Sequence, residues 1–335
     1  MTGSQASEGP PIGRLAQAVL SLFAAPRINM RDDYQLVRRA QRALAWTPHD
    51  PSRLLDQTVL GEDGTRIPVR LFLPRSGERP GVLLFFHGGG WVTGDIDTYT
   101  STCLTMADVT GRVVCSVDYR LAPENPYPAG LRDCLRVAQL VLEQPSLVGL
   151  ETAADIHLIG DSAGANLAAA VCLVLREEGG PLPRTQTLLY PVTQWDHDPE
   201  TSPFASVAQY GTGLRLTARE VRDYLSMYQP DPAQRDSPLV SPLAADDLSG
   251  LPRTLVVTAE YDLLRDEGEA FAHALRAAGT PTRLERVDGA LHGFIALPRF
   301  LRAPTRGYEH ICSFLDGDLT DSRDLTAGPA MEGPS

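Results

Sequence analysis

Apolar residues in this chain come in two rhythms. Short continuous runs recur at 81–86 (GVLLFF), 112–118 (RVVCSVD), 155–160 (DIHLIG), 186–190 (QTLLY), 254–259 (TLVVTA) and 282–288 (TRLERVD). Between and after them, stretches at about 98–110, 129–144, 162–178, 266–278 and 302–315 carry apolar residues at helical spacing. Continuous apolar strands joined by helical crossovers predict a mostly parallel sheet covered on both faces, an α/β architecture. Upstream, TVLGEDGTRIPVRLFLP reads as two strands around Asp63 and Gly64, a hairpin signal. Residues 12–46 read as two helices parted near Pro26, the second being RDDYQLVRRAQRALAW. The stretch 192–250 breaks the alternation. It is rich in Asp, Pro, Ser and aromatics, has a helical segment near 217–228, and reads as an insertion over the carboxyl ends of the strands.

This pattern divides the chain into N-terminal helices at 1–50, a main domain at 51–320 containing the insertion, and a polar tail at 321–335 expected to fray. The 335 residues suffice for one large core. With 42 acidic against 30 basic residues, a net charge of −12 argues against nucleic acid and anionic membrane surfaces as partners. The five cysteines, Cys103, Cys115, Cys134, Cys172 and Cys312, have no CxxC or Cys/His spacing. They read as buried thiols in a reducing compartment, with no metal site. No apolar run reaches the ~18 residues of a membrane span. LAQAVLSLFAA (15–25) resembles a signal-peptide core, but Arg14 is balanced by Glu8, a poor positive leader. Ile12, Leu15, Val19, Leu22 and Phe23 recur at helical spacing, so an amphipathic helix and a cytoplasmic location are expected.

Chemistry concentrates in two turns. Gly160-Asp161-Ser162-Ala163-Gly164 fits G-x-S-x-G between an expected strand and an expected helix, the context of a nucleophilic serine on a strained elbow. Earlier, FFHGGGW (85–91) places three glycines where a strand ends. Three glycines cost backbone entropy that a simple turn does not require. A serine attacking a carbonyl creates an oxyanion that needs preorganised N–H donors, and glycines at a strand end can supply them together with Ala163. His87 is expected to orient this loop and not to act as a base.

The serine needs a base and the base an orienting carboxylate. Of seven histidines, His292 in DGALHGF suits the base, because it follows an expected strand and lies in a Gly-containing loop. His157 reads as strand surface, His273 as helix face, and His49, His197 and His310 lack a matching context. TLVVTAEYDLLRDEG (254–268) offers Glu260, Asp262, Asp266 and Glu267. Asp262, just past the strand end, is preferred over Glu260 and Asp266, the latter expected to cap the following helix.

HGGGW (87–91), DYRLAPE (118–124), GDSAG (160–164), YDLLRD (261–266) and LHGF (291–294) together resemble the bacterial hormone-sensitive-lipase-like esterases over roughly residues 60–300. The resemblance implies an α/β-hydrolase fold with a helical cap formed by the N-terminal helices and the 192–250 region. It implies Ser162, Asp262 and His292 as the triad and oxyanion donors at Gly89, Gly90 and Ala163, with Gly88 as a further candidate. Ala165 departs from the glycine that often follows GDSAG in the family. Asp118, Arg120 and Glu124 are expected to brace the loops around the glycine turn. The activity implied is hydrolysis of short-chain carboxylic esters through an acyl-enzyme, without cofactor or metal, on a small ester or acylated substrate. An amide deacetylase or acyltransferase on a biosynthetic intermediate, or a receptor-like binding protein, are the alternatives. Tyr34, Trp195, Phe204, Tyr210 and Tyr224 are candidates to shape the pocket, and a homodimer is the default assembly.

Overall fold

The computed structural model describes residues 29–45, 49–76 and 80–317. The expected helix at 12–25 and the tail at 321–335 lie outside these residues. The second N-terminal helix is present as α1 (Met30–Leu44). Asn29 caps it by accepting from the Arg31 N–H, Asp32 and Asp33 occupy the first turn, and Arg42 the last, charges matched to the helix dipole.

Eight strands form one sheet in the order β1-β2-β4-β3-β5-β6-β7-β8. β1 (Leu54–Leu60) and β2 (Arg66–Phe72) make the antiparallel hairpin, turning at Gly61–Gly64, and β2 pairs antiparallel with β4 (Val113–Val117). Thereafter β3 (Val82–Phe86), β5 (Ile156–Asp161), β6 (Thr185–Leu189), β7 (Arg253–Tyr261) and β8 (Thr282–Leu291) run parallel. β3 is buried throughout, and its side chains divide by parity. Val82, Leu84 and Phe86 join the cluster made with α3 (Ala129–Glu143), α4 (Ala163–Glu177) and α7 (Arg265–Ala277), while Leu83 and Phe85 join that of α2 (Thr100–Thr110) and α8 (Arg302–Asp316). Alternation on a strand covered from both sides leaves no polar face, which is why these runs are continuously apolar. Cys103, Cys115, Cys134 and Cys172 are buried free thiols, and burial pushes Cys115 up to about 12. Among the described residues no helix is long and apolar enough to cross a membrane.

The insertion leaves after β6 and returns at β7. It contains α5 (Ala205–Tyr210), too short to show a period in the sequence, and α6 (Ala218–Tyr228), started by a capping box between Thr217 and Glu220. Its base is pinned to α7. Glu267, fully buried, accepts from the Thr193 N–H at 2.7 Å and sits 2.8 Å from His197 Nε2, also fully buried. Asp266 does not cap α7 as expected, since Leu264 holds that position. Its carboxylate instead accepts from the Ser206 N–H at 2.8 Å and tethers α5. α6 packs against α1, with Arg31 paired to Asp223 at 2.8 Å.

His157 does not lie on an exposed strand surface. His157 lies on β5 between β3 and β6, and is only 2% exposed, so no strand surface is available to it. Its Nδ1 is 2.9 Å from Thr185 Oγ1. Burial, reinforced by Arg112 and Arg184, holds the imidazole down at about 4. Between the ordinary value near 6.5 and about 4, the unfolded chain binds a proton that the folded chain refuses. Stability therefore falls as pH drops through that window, by about 3 kcal/mol at its acid end. In urea unfolding followed from neutral pH to about pH 4, the His157→Gln variant is expected to lose less stability on acidification than wild type. Parallel pH profiles for the two proteins would contradict this.

Candidate active site

The sheet register assembles the site. In the parallel pairing Phe86 lies beside Gly160, so the turns that follow, His87–Trp91 and Asp161–Ala163, leave the sheet side by side. Farther along, a shift in register after Ala259 pairs Tyr261 with Leu291. Asp262 and His292 are the next residue on each strand and so emerge together.

Ser162 occupies the elbow between β5 and α4 with φ of 54° and ψ of −119°, a strained conformation for a non-glycine residue. The motif's glycines are required by contact. A Cβ on Gly164 would stand 2.0 Å from the Phe86 carbonyl oxygen, and one on Gly160 would stand 2.3 Å from the Gly164 carbonyl oxygen. Ser162 Oγ lies 2.9 Å from His292 Nε2, and His292 Nδ1 lies 2.7 Å from Asp262 Oδ2. A carboxylate can only accept, so Nδ1 carries the proton and Nε2 is left to accept from the serine hydroxyl. Asp262 is 2% exposed, and its other oxygen accepts from the Leu264 N–H at 3.0 Å, which fixes the carboxylate. Tyr190 packs edge-on against the imidazole, with ring centroids 4.9 Å apart. The other acids of this segment go elsewhere. Glu260 accepts from the Gly289 N–H at 2.6 Å, and Asp266 and Glu267 hold the insertion.

In the glycine turn, Gly89 and Gly90 adopt φ of 113° and 61°. A side chain at Gly89 would meet the Thr93 carbonyl oxygen at 2.1 Å, and one at Gly90 the Tyr224 ring at 2.3 Å. The Gly88 N–H donates to Asp161 Oδ1 at 2.7 Å. The N–H groups of Gly89, Gly90 and Ala163 have no acceptor among the described residues. Gly89 and Gly90 line the same cavity as Ser162, and Ala163 follows the serine in the chain, while the N–H of Gly88 is engaged. His87 is fully buried, stacked on Tyr119 at 4.3 Å, and accepts from the Tyr119 hydroxyl through its carbonyl oxygen at 2.7 Å.

Asp161 escaped the sequence reading, where it was only the variable residue of G-x-S-x-G. It also accepts from the Tyr99 hydroxyl at 3.1 Å, and burial, opposed by the Gly88 N–H, raises its pKa. The DYRLAPE segment braces by one hydrogen bond and two ion pairs: Asp118 accepts from the Ile96 N–H, Arg120 grips Asp133, and Glu124 binds Arg38 of α1. Arg38 also donates to the carbonyl oxygens of Val92 and Ala122, tying α1 to the segment after the glycine turn.

A cavity of about 240 Å³ opens on Ser162 and His292, walled by Gln41 of α1, Val192, and Leu216, Val221 and Tyr224 of the insertion. Of the five aromatic candidates for its wall, only Tyr224 is in it. Trp195 lines a separate groove of about 610 Å³ that contains none of Ser162, Asp262 or His292. Tyr34 lies under Arg38, Tyr210 against Tyr261, and Phe204 on the core.

The family described as the alpha/beta hydrolase fold matches residues 83–296. The chain is 36% identical over 321 residues to the carboxylic ester hydrolase LipN of Mycobacterium tuberculosis, covering 92% of this chain and 83% of that relative. It is 36% identical over 260 residues to an arylesterase of Saccharolobus solfataricus, covering 77% and 82%. Among solved structures, a hyperthermophilic esterase of Pyrobaculum calidifontis aligns with a TM-score of 0.79 at 34% identity, covering 91% of this chain and 98% of that one. With a match across most of its length and the fold to go with it, the chain belongs to the hormone-sensitive-lipase-like family of alpha/beta hydrolases.

Proposed function

We propose that this protein is a serine hydrolase that cleaves short-chain carboxylic esters through an acyl-enzyme. The observation that carries the reading is the unbroken hydrogen-bond chain from Asp262 through His292 to Ser162, facing the unpartnered N–H groups of Gly89, Gly90 and Ala163. Ser162 Oγ gives its proton to His292 Nε2 and attacks the ester carbonyl. The oxyanion is stabilised by the three backbone donors, which need no rearrangement to meet it. Asp262 holds the imidazole in its working tautomer and stabilises the imidazolium. His292 then returns the proton to the departing alcohol, and water deacylates the serine by the same route in reverse. Gly88 is left out of the donor set because Asp161 holds its N–H. Relatives named as ester hydrolases favour oxygen esters over amides. A receptor-like role fits poorly, since Ser162, His292 and Asp262 are all in place.

α1 and the 192–250 insertion act as the cap, because both contribute walls to the cavity. The buried free thiols support a cytoplasmic location, and a homodimer is the default assembly.

Ser162→Ala is expected to lower kcat about 10⁴-fold or more at unchanged melting temperature. Retention of a tenth of wild-type turnover would remove Ser162 from its role. Asp262→Asn should cost about 10³- to 10⁴-fold in kcat by favouring the wrong tautomer, while Glu260→Gln and Asp266→Asn stay close to wild type. A crippled Asp266→Asn beside a nearly silent Asp262→Asn would contradict the assignment. Gly90→Val, which drives a side chain into Tyr224, should lower kcat by about 10²-fold or more, checked beside a melting curve. The small cavity also predicts that rates on 4-nitrophenyl esters peak between acetyl and hexanoyl, and a maximum near dodecanoyl would contradict this.

A further inference from the structure

Arg215 is a cation at this site that the acyl-transfer chemistry does not use. It comes from the bends between α5 and α6 and lines the cavity at Ser162. It also lines an adjoining cavity of about 310 Å³ that shares Gln41, Gly89, Thr93 and Tyr99 with the first and extends between Leu44, Thr98, Thr102 and Ala296. Its guanidinium lies against the residue after the histidine: a Cβ built on Gly293 would meet Arg215 Cζ at 3.4 Å, Nη2 at 3.5 Å and Nε at 3.6 Å.

Four arginines at or near the cap have carboxylate partners: Arg31 has Asp223, Arg38 has Glu124, Arg42 has Asp95, and Arg265 has Asp266. Arg215 is exposed, so its guanidinium can be reached from solvent. Arg215 has neither an ion pair nor a hydrogen bond to any described residue. The carboxylate that shares its cavity, Asp161, is taken by the Gly88 N–H and the Tyr99 hydroxyl. The charge nevertheless reaches the site. Burial pushes the Tyr99 and Tyr190 phenols well up, and Arg215 acts against that rise at both. In a chain of net charge −12, a cation without a counter-ion at the mouth of a reactive-serine cavity is a local exception that favours an anion there.

The direction of the reaction says which part of the substrate meets it. The oxyanion turns toward Gly89, Gly90 and Ala163, whereas the leaving oxygen must stand near His292 Nε2 to take back its proton. Arg215 lies against Gly293 and lines the cavity that Ser162 and His292 share, which places it beside the base that serves the leaving oxygen. We propose that Arg215 is a specificity-determining residue that selects esters whose alcohol or phenol portion bears a carboxylate, bound by the guanidinium in the cavity beside His292. The proposal rests on the ester-hydrolase reading and adds the substrate class to it. A guanidinium offers a carboxylate two parallel N–H donors, so the contact also orients the leaving group.

The test compares 4-acetoxybenzoate with its neutral methyl ester on wild type, Arg215→Gln and Arg215→Lys. Arg215→Gln is expected to lower kcat/KM for the anionic ester about tenfold more than for the methyl ester, mainly through KM. Arg215→Lys should restore part of the difference, and added salt should narrow the wild-type preference. Equal effects of Arg215→Gln on both esters would overturn the proposal. So would an effect confined to an acyl-side pair, monoethyl succinate against ethyl butyrate. If wild type cleaves none of these four esters, the ester-hydrolase reading falls first and takes the proposal with it. Cleavage of the methyl ester with no Arg215 dependence on the acid removes the proposal alone.

Discussion

The close approach of the first turn of α4 to the end of β3 is the constraint on which the site depends. At Gly164 the helix backbone comes so near the Phe86 carbonyl that a single added carbon would stand 2.0 Å from it. That approach holds Ser162 at positive φ, a conformation costing on the order of 1–3 kcal/mol that the surrounding structure must over-determine. It does so: α4 is buried through most of its length, and β5 sits between β3 and β6 in a sheet covered on both faces. The result is that the start of α4, which carries the N–H of Ala163, lies against the end of β3, where the turn with Gly89 and Gly90 begins. Backbone groups positioned by a sheet and a helix cannot rotate away as side chains can, which suits donors awaiting a charge that exists only during reaction.

The glycine turn is held in place from several sides, and one of them is α1. Asp161 takes the Gly88 N–H, the Tyr119 hydroxyl holds the His87 carbonyl, and Arg38 of α1 reaches the Val92 and Ala122 carbonyls while pairing with Glu124. α1 also carries Gln41 in the cavity wall and packs on α6, whose Tyr224 lies over Gly90. The cavity wall and the glycine turn thus share the same supports. On the other side, Glu267 and Asp266 anchor the base of the insertion to the helix that begins just after Asp262. α1 and the insertion are thus fastened to both sides of the cavity at Ser162.

The sheet was legible because strands covered on both faces must be apolar at every position, and the run Val82–Phe86 shows it. The elbow was legible because its glycines answer to backbone contacts that admit no side chain. Asp262 and His292 could be placed because each follows a strand, although the register shift that brings Tyr261 beside Leu291 left no mark in composition. What stayed hidden were partnerships between distant residues. Nothing in the spacing links Arg38 to Val92, His197 to Glu267, or Arg215 to Gly293. His157 was misread for a related reason: a polar residue in a strand suggests an exposed face, but a central strand has none, and Thr185 satisfies the imidazole instead. The turns that carry chemistry are local and were readable; the walls that choose a substrate come from separated segments and were not.

The central claim is that Ser162 is a nucleophile activated by His292 and served by the backbone donors. Titration with diethyl 4-nitrophenyl phosphate, followed by intact-mass and peptide mass spectrometry, tests it most directly. The structure predicts release of about one equivalent of 4-nitrophenol per chain, a single diethylphosphoryl adduct on the peptide containing Ser162, and esterase activity lost in proportion to labelling. An unlabelled chain, or an adduct on another residue while Ser162 remains free, would contradict it.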